Sequence, residues 1–194
     1  EIDMTDLLRL RALLKERGDV PSVTDFVNEA VVLSLMEHPA MNSSTDGVSV
    51  RWRGSVDLGV AVSLDTGLVV PVVRHAQEMS LAELSEATRS LVKKARDGRL
   101  LPDRMQGSSF TVSNMGMMNV ENFTAIINPG EAAILAVGSA VEKPVVRNGE
   151  IVVRTMMKIT LSSDHRIVDG ATAAVFANAI KSKLEDMELW KALT

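Results

Sequence analysis

The residues best suited to chemistry lie in one stretch near the C-terminus, residues 162–170, which reads SSDHRIVDG. His165 carries the side chain best suited to moving a proton near neutral pH. Asp169 follows four residues later, and a nearby carboxylate or carbonyl can fix the tautomer of an imidazole. The spacing therefore predicts a general base, but this stretch does not supply an evident nucleophile for it.

Composition limits the reactions that such a base could serve. The chain has no cysteine, so if it handles a thioester both sulfur atoms come from its substrates. Its three histidines are scattered and show no ligand spacing, and we expect no metal site. A net charge of -4 without a basic cluster argues against nucleic-acid binding, and no apolar run or signal sequence suggests a membrane. We expect a soluble protein of the bacterial cytoplasm or, if eukaryotic, of the mitochondrial matrix.

Three helices are predicted before residue 100. An apolar stripe from Leu7 to Leu14 predicts the first, with Gly18 at its end. Ser22 and Asp25 predict a capped helix over residues 23–37. Ser80 and Glu83 have the spacing of a capping box, and the helix that they begin should continue to Gly98.

The strands are predicted from alternation and from turn residues. Residues 48–52 alternate as a half-buried strand after a loop at 41–46, and residues 56–64 and 68–73 form a hairpin across the turn 65–67. Asn148-Gly149 predicts a second hairpin, within residues 145–154. A strand over 110–116 enters small polar residues. The order of elements favours one α/β domain with a mixed, mostly antiparallel sheet.

The motif itself lies between a strand at 156–161 and a helix at 171–184, a kind of junction where α/β proteins present side chains to ligands. On that helix we expect an inward face with Ala174, Val175, Ala177, Ile180 and Leu184, and Trp190 follows it.

Two clusters elsewhere each allow two interpretations. Lys93, Lys94 and Arg96 end a helix, where positive charge complements the helix dipole, and an anionic ligand is the less favoured alternative. Met115, Met117 and Met118 are expected in the core, with the lining of a long ligand channel as the alternative.

Three separated stretches together resemble one enzyme family. Residues 67–74 read GLVVPVVR, 110–116 read FTVSNMG and 164–170 read DHRIVDG. In this order they resemble the dihydrolipoamide acyltransferase (E2) catalytic domain of 2-oxo acid dehydrogenase complexes, and the similarity extends from about Asp3 to the C-terminus. The resemblance implies a chloramphenicol acetyltransferase-like fold, a two-layer sandwich in which helices cover the sheet.

The resemblance also implies an activity and its site. The family transfers an acyl group from a dihydrolipoyl arm to coenzyme A. Its active-site histidine corresponds to His165, its motif aspartate to Asp169 and its transition-state hydroxyl to Ser113. Asn114, Gly116 and Arg166, adjacent to these residues, are expected to bind substrate.

The assembly implied by the resemblance is a homotrimer with active sites between subunits, and trimers build a large cubic or dodecahedral core. The lipoyl domain and the domain that binds the E1 and E3 components fall outside the 194 residues. We also expect the catalytic domain over 1–194 to lack its usual first helix.

The chemistry fits the residues without the resemblance. Neutral His165 could take the proton of a thiol as its sulfur attacks a thioester carbonyl, and the Ser113 hydroxyl could donate to the oxyanion. Asp169 could orient the loop, pair with an arginine or contact the imidazole. Simpler interpretations are a structural histidine, a serine that caps a turn and an aspartate that begins the last helix.

Three other functions remain open. One is a hydrolase with Ser113 as nucleophile, although the chain has no Gly-x-Ser-x-Gly motif. Another is an assembly scaffold without activity, and the third is a chloramphenicol-type acetyltransferase acting on a small acceptor. Among acyl groups, residues 123–129 favour acetyl, with branched-chain acyl next.

Overall fold

A six-stranded mixed sheet and five helices form the fold of this chain, in a computed structural model that describes residues 1–16, 18, 20–65 and 67–194. The helices are α1 (Thr5–Lys15), α2 (Val23–Glu37), α3 (Leu81–Arg96), α4 (Gly170–Glu185) and α5 (Met187–Leu193). The strands are β1 (Ile2–Asp3), β2 (Ser43–Thr45), β3 (Val50–Trp52), β4 (Leu58–Val60), β5 (Val62–Leu64), β6 (Gly67–Val69), β7 (Val72–Val73), β8 (Phe110–Asn114), β9 (Ala133–Arg147) and β10 (Glu150–Ser163).

The main sheet has the strand order β1-β10-β9-β8-β4-β7. Strand β8 runs parallel to both of its neighbours, β9 and β4, and the other pairs are antiparallel. Two further antiparallel pairs, β2 with β3 and β5 with β6, lie outside this sheet. The predicted α/β fold with a mixed, mostly antiparallel sheet is therefore confirmed.

Both predicted capping boxes are present. The Ser22 backbone N–H donates to Asp25 Oδ2 at 2.7 Å, and the Asp25 N–H returns a bond to Ser22 Oγ. Ser80 and Glu83 make the same reciprocal pair at the start of α3. Each box satisfies two N–H groups that the first turn of a helix leaves unpaired, so these helices begin at the predicted residues.

The long β9–β10 hairpin also follows the prediction. Its turn is Asn148-Gly149, and both residues have positive φ, 52° and 83°. These angles suit a tight hairpin turn whose twist matches that of the strands. The other predicted hairpin is formed by β5 and β6, although Thr66 of its turn lies outside the described residues.

Two predictions about residues 41–52 were wrong. The expected loop at 41–46 contains strand β2, which pairs with β3 through the register Ser43 to Trp52. The expected half-buried strand is exposed, because β3 pairs with β2 and not with the main sheet. Alternation correctly predicted a strand, but it could not identify what would cover the apolar face.

The buried faces of two helices also differ from expectation. Leu13 on α1 is exposed, as are Ala174 and Val175 on α4. Phe176 is buried on α4 instead, where its ring lies 5.6 Å from that of Phe110 on β8. Small and apolar residues lie all around α4, so the sequence pattern does not define which face is buried. The bulky Phe176 ring determines that face.

One glycine allows the chain to cross the sheet after β8. The connection from β8 to β9 passes over Gly138, and a methyl group on Gly138 would lie 2.1 Å from the Glu121 carbonyl oxygen. Ser139 holds the crossing in place: its N–H donates to Val120 O and its hydroxyl to Gly116 O, both at 2.8 Å. A side chain at 138 would therefore displace the connection.

Candidate active site

The histidine motif occupies the predicted junction between a strand and a helix. Strand β10 ends at Ser163, the Asp164 N–H donates to Ala132 O at 2.8 Å, and α4 begins at Gly170. His165 is exposed in the single chain. The imidazole is thus carried on a short loop whose two ends are fixed by regular structure.

Asp169 acts as the N-cap of α4. Its Oδ1 accepts the Thr172 backbone N–H at 2.7 Å. This bond lowers the pKa of Asp169 below its usual value, and the nearby His165 contributes to the same direction. Of the alternatives left open, the structure places the carboxylate in the helix cap. Within the described chain it forms no hydrogen bond with the imidazole.

Arg166 pairs with the other motif aspartate. Its Nε lies 3.0 Å from Asp164 Oδ1 and its Nη2 lies 2.6 Å from Oδ2. The guanidinium lowers the pKa of Asp164 and is itself largely exposed. A substrate that binds Arg166, as expected from the sequence, would have to share the guanidinium with Asp164.

Ser113 lies on a different part of the molecule. In the sheet register Ser113 pairs with Ala136 of β9, whereas Ser163, at the end of β10, pairs with Ala133. Three residue steps and two strand spacings put the Cα atoms of Ser113 and Ser163 roughly 14 Å apart. Asp164 continues away from Ser113, so a single chain does not bring Ser113 and His165 together.

Asn114 and Gly116, expected to bind substrate, shape the end of β8. The Asn114 side-chain amide donates to Thr24 Oγ1 at 3.0 Å, and its Oδ1 accepts the Gly116 N–H at 2.8 Å. A Cβ on Gly116 would lie 3.0 Å from the Gly138 carbonyl oxygen. Both residues therefore hold the turn after Ser113, and Asn114 also faces the adjacent cavity.

This cavity has a volume of about 590 Å³ and opens beside the end of β8. Met117 and Met118 line it and are largely exposed, so the expectation that they lie in the core was wrong. The alternative, that they line a ligand channel, agrees with their position. Its other apolar walls come from β4, β5 and α3, and they include Val60, Val62 and Val92.

Polar groups are concentrated on the α3 side of the cavity. Lys93 and Arg96 lie on its wall, as does the buried Thr88, whose hydroxyl has no hydrogen-bond partner within the described residues. A buried hydroxyl without a partner is costly, and a ligand could relieve that cost. Sequence reasoning identified the cations but missed Thr88, because a threonine within a helix carries no signal for a ligand.

A buried carboxylate connects the strand of Ser113 to the loop beside the histidine motif. Glu131 Oε1 accepts hydrogen bonds from the hydroxyls of Ser108 and Thr111, and Thr111 lies two residues before Ser113. Burial raises the pKa of Glu131, although these hydrogen bonds oppose the rise. Ala132, the next residue, accepts the Asp164 N–H. Glu131 thereby fixes the position of β8 relative to the motif loop.

Some kinds of site are not found in the residues described. Within them, no three histidine or acidic side chains are grouped in a way that could hold a metal ion. None of the described helices has the length and apolar character needed to cross a membrane.

Comparison with known proteins gives the family. The model of the 2-oxoacid dehydrogenases acyltransferase catalytic domain matches residues 1–192. The chain belongs to this family. Because the match covers nearly the whole chain, the acyltransferase domain accounts for both the sheet and the motif loop.

Curated relatives of this acyltransferase domain differ in the acyl group that their names give. The acetyltransferase component of the pyruvate dehydrogenase complex of Rickettsia felis is 42% identical over 87% of this chain and 41% of the relative. The acetyltransferase component of the acetoin cleaving system of Bacillus subtilis is 43% identical over 95% of this chain and 48% of its own length. The succinyltransferase component of an Arabidopsis thaliana 2-oxoglutarate dehydrogenase complex is 40% identical over 96% of this chain and 41% of its own length. The chain thus spans less than half of these relatives.

Solved structures confirm the fold of this acyltransferase domain. Azotobacter vinelandii dihydrolipoamide acetyltransferase has a TM-score of 0.90 at 34% identity, over 96% of this chain and 79% of that one. A serine, a histidine and an asparagine of that enzyme were investigated for roles in its catalytic mechanism. A chloramphenicol acetyltransferase has a TM-score of 0.56 at 17% identity, over 94% of this chain and 85% of that one, which shows a shared fold alone.

Proposed function

We propose that this domain transfers an acyl group, preferably acetyl, from an S-acyl-dihydrolipoyl group to coenzyme A, in the core of a 2-oxo acid dehydrogenase complex. The family match over residues 1–192 carries this proposal. In the Azotobacter enzyme the studied serine and histidine are 52 residues apart, and residues 113 and 165 have the same separation here. The studied asparagine follows its histidine by four residues, as Asp169 follows His165.

His165 is the general base in the proposed reaction. It takes the proton of the coenzyme A thiol as the sulfur attacks the thioester carbonyl, and a C–S bond forms. Ser113 donates a hydrogen bond to the oxyanion of the tetrahedral intermediate. When this intermediate collapses, the C–S bond to the dihydrolipoyl group breaks and His165 returns the proton to the leaving sulfur. The acyl group therefore moves directly between two thiols, and no acyl-enzyme forms.

This reaction needs two copies of the chain. Because Ser113 and His165 lie far apart within one copy, a complete site requires Ser113 of one subunit beside His165 of another. A ring of three such subunits repeats the contact and closes on itself, which gives a homotrimer. The cubic core of a pyruvate dehydrogenase multienzyme complex has a TM-score of 0.90 with this chain, which supports assembly of trimers into a larger core. The E1 and E3 components would be recruited by other domains.

The cavity beside Ser113 is proposed to take coenzyme A. The pantetheine arm is long and largely uncharged, and it suits walls made of Met117, Met118 and the valines of β4, β5 and α3. Lys93 and Arg96 could pair with the phosphates at the other end of the molecule. The thiol would then lie towards Ser113. Among the predicted substrate-binding residues, Asn114 is the one on this wall.

The decisive experiment gives the purified protein S-acetyl-dihydrolipoamide and coenzyme A, and measures acetyl-coenzyme A and free acetate separately. We expect acetyl-coenzyme A to form in step with loss of the thioester. Release of acetate with a burst of acyl-serine would instead identify a hydrolase. Assembled particles without turnover would identify a scaffold, and activity only towards small hydroxyl acceptors would identify a chloramphenicol-type enzyme.

Comparing acetyl, isobutyryl and succinyl substrates tests the acyl group. Sequence identity does not decide it, since the acetyl and succinyl relatives match about equally well. One methylene changes binding in an apolar pocket by only about 1–3 kcal/mol, so the preference should appear as a graded difference in kcat/KM. We expect acetyl to give the highest value, and a higher value with succinyl would contradict that expectation.

A further inference from the structure

Glu131 is a buried carboxyl group that receives three hydrogen bonds on one oxygen. The residue is 5% exposed. The hydroxyls of Ser108 and Thr111 and the side-chain amide of Asn128 all donate to Oε1, the last two at 2.7 and 3.4 Å. The same Asn128 amide donates to Thr111 Oγ1 at 2.9 Å. A buried hydrogen-bond network of this kind makes the elements that it joins rigid.

One side of this network holds the strand that carries Ser113. Thr111 and Ser113 are two residues apart on β8, so their side chains share one face of the sheet. A methyl group on Gly59, the residue of β4 that pairs with Thr111, would lie 2.5 Å from Thr111 Oγ1. Thr111 is therefore confined between β4 and Glu131. Loss of the Glu131 carboxyl group would release β8 on the face that presents the Ser113 hydroxyl.

The other side holds the loop that carries His165. The carbonyl oxygen of Ala132, the residue after Glu131, accepts the Asp164 N–H at 2.8 Å. Asp164 in turn orders the loop, since its own carbonyl oxygen accepts the Val168 N–H at 3.0 Å. His165 is therefore held, through Asp164, by the residue next to Glu131.

We propose that Glu131 is a positioning residue for acyl transfer, which holds the Ser113 hydroxyl in one active site and the His165 imidazole in the next. This inference rests on the proposed function, in which each copy gives its serine to one site and its histidine to another. Because it is buried, Glu131 acts through Thr111 and Ala132 instead of touching substrate. A shift of about 1 Å in a catalytic group can lower a rate roughly 10²-fold, so a small displacement is sufficient.

Three substitutions at residue 131 separate the position of the acceptor oxygen from its charge. Glu131→Leu removes both, and Glu131→Gln keeps an oxygen for the three donors without the charge. Glu131→Asp keeps the charge but withdraws the oxygens by one methylene. The charge has a neighbour in Arg53, whose Nη2 donates to Gly130 O at 3.3 Å. Burial raises the pKa of Glu131, and the Arg53 guanidinium counteracts that rise.

Two further variants test the connection to β8. Thr111→Val keeps the shape of the side chain and removes the hydroxyl that donates to Glu131. Ser109→Ala is the matched control for the loss of one buried hydroxyl beside β8, because the Ser109 hydroxyl is bonded to the Asp57 backbone. Sedimentation velocity and circular dichroism should give the wild-type size and helix content for every variant.

We expect Glu131→Leu, Glu131→Asp and Thr111→Val to lower the rate of acetyl transfer by roughly 10²-fold. Glu131→Gln and Ser109→Ala should keep most of the wild-type rate. If Glu131→Leu does not fold, Glu131→Asp takes its place. A wild-type rate in the Leu and Asp variants overturns the inference. A loss in Glu131→Gln as large as theirs also overturns it, since glutamine retains the acceptor.

Mixed assemblies show which catalytic side chain each variant displaces. Co-expressed Ser113→Ala and His165→Ala chains should recover activity, because about a quarter of the sites in random rings combine an intact serine with an intact histidine. Thr111→Val chains displace only the serine, so they should recover activity with His165→Ala chains and not with Ser113→Ala chains. A general loss of stability would not give such one-sided recovery.

The slow Glu131 variant should recover activity with neither partner, because it displaces both side chains. Recovery with His165→Ala chains would show that Glu131 holds the serine alone, and recovery with Ser113→Ala chains that it holds the histidine alone. Either result overturns the inference. If Ser113→Ala and His165→Ala chains do not recover activity with each other, the shared site of the proposed function fails instead.

Discussion

Glu29 predicts an unusual dependence of stability on pH. It lies on α2, is 5% exposed, and its Oε2 has no hydrogen-bond partner within the described residues. Burial raises the pKa of Glu29 from 4.5 to about 7. Because the folded state holds this proton more tightly than the unfolded state, the group favours folding most below pH 4.5, and its contribution is lost as pH rises to about 7.

The expected size follows from the pKa. At 1.36 kcal/mol for each pKa unit, the free energy of unfolding should lose roughly 3 kcal/mol between pH 4.5 and 7 through Glu29. Glu29→Gln keeps the volume and removes the ionisation. We expect this variant to be more stable than the wild type by up to about 3 kcal/mol at pH 8, and the difference to shrink towards pH 5.

Urea unfolding followed by circular dichroism at pH 5, 6, 7 and 8 measures this difference. All samples need the same protein concentration, because association changes apparent stability. Glu150→Gln is the matched control for the loss of one carboxylate, since Glu150 is exposed beside the hairpin turn. If Glu29→Gln and the wild type show the same slope of unfolding free energy with pH, burial does not raise the pKa of the Glu29 carboxylate.

Three further predictions concern the site. His165→Ala should abolish acyl transfer while circular dichroism and sedimentation stay unchanged, and near-full activity would disprove the general base. Ser113→Ala should lower kcat by the loss of one oxyanion donor, roughly 2.7–4 kcal/mol or about 10²–10³-fold, and an unchanged kcat would exclude that role. Asp169→Ala should lower Tm by removing the cap of α4, whereas Asp169→Asn, an equally good cap, should preserve it. If the two variants have the same Tm, the cap of α4 does not contribute to stability as expected.

Local features of the fold could be predicted from the sequence. The capping boxes at Ser22 and Ser80 and the turn at Asn148 are decided by residues within a few positions of one another, and the structure has each of them. The position of Asp169 at the start of α4 belongs to the same class. Short-range hydrogen bonds determine these features, so sequence pattern alone is sufficient.

Features that depend on distant partners could not be predicted in this way. The exposure of β3 and the burial of Phe176 depend on which surfaces meet in the folded chain. The separation of Ser113 from His165 follows from the sheet register, which spacing along the chain does not encode. The cavity that includes Thr88 is lined by residues from four parts of the chain. In the sequence, Thr88 cannot be distinguished from any other threonine in a helix.

The passage of the chain over Gly138 has a consequence for the serine. The first residues of that passage are the turn after Ser113, and Gly116 is pressed against the Gly138 carbonyl. Any side chain at 138 would lift the loop from the strand and pull on the end of β8. The proposed placement of the Ser113 hydroxyl at the reacting carbonyl therefore depends on the absence of a side chain at residue 138 of the neighbouring strand.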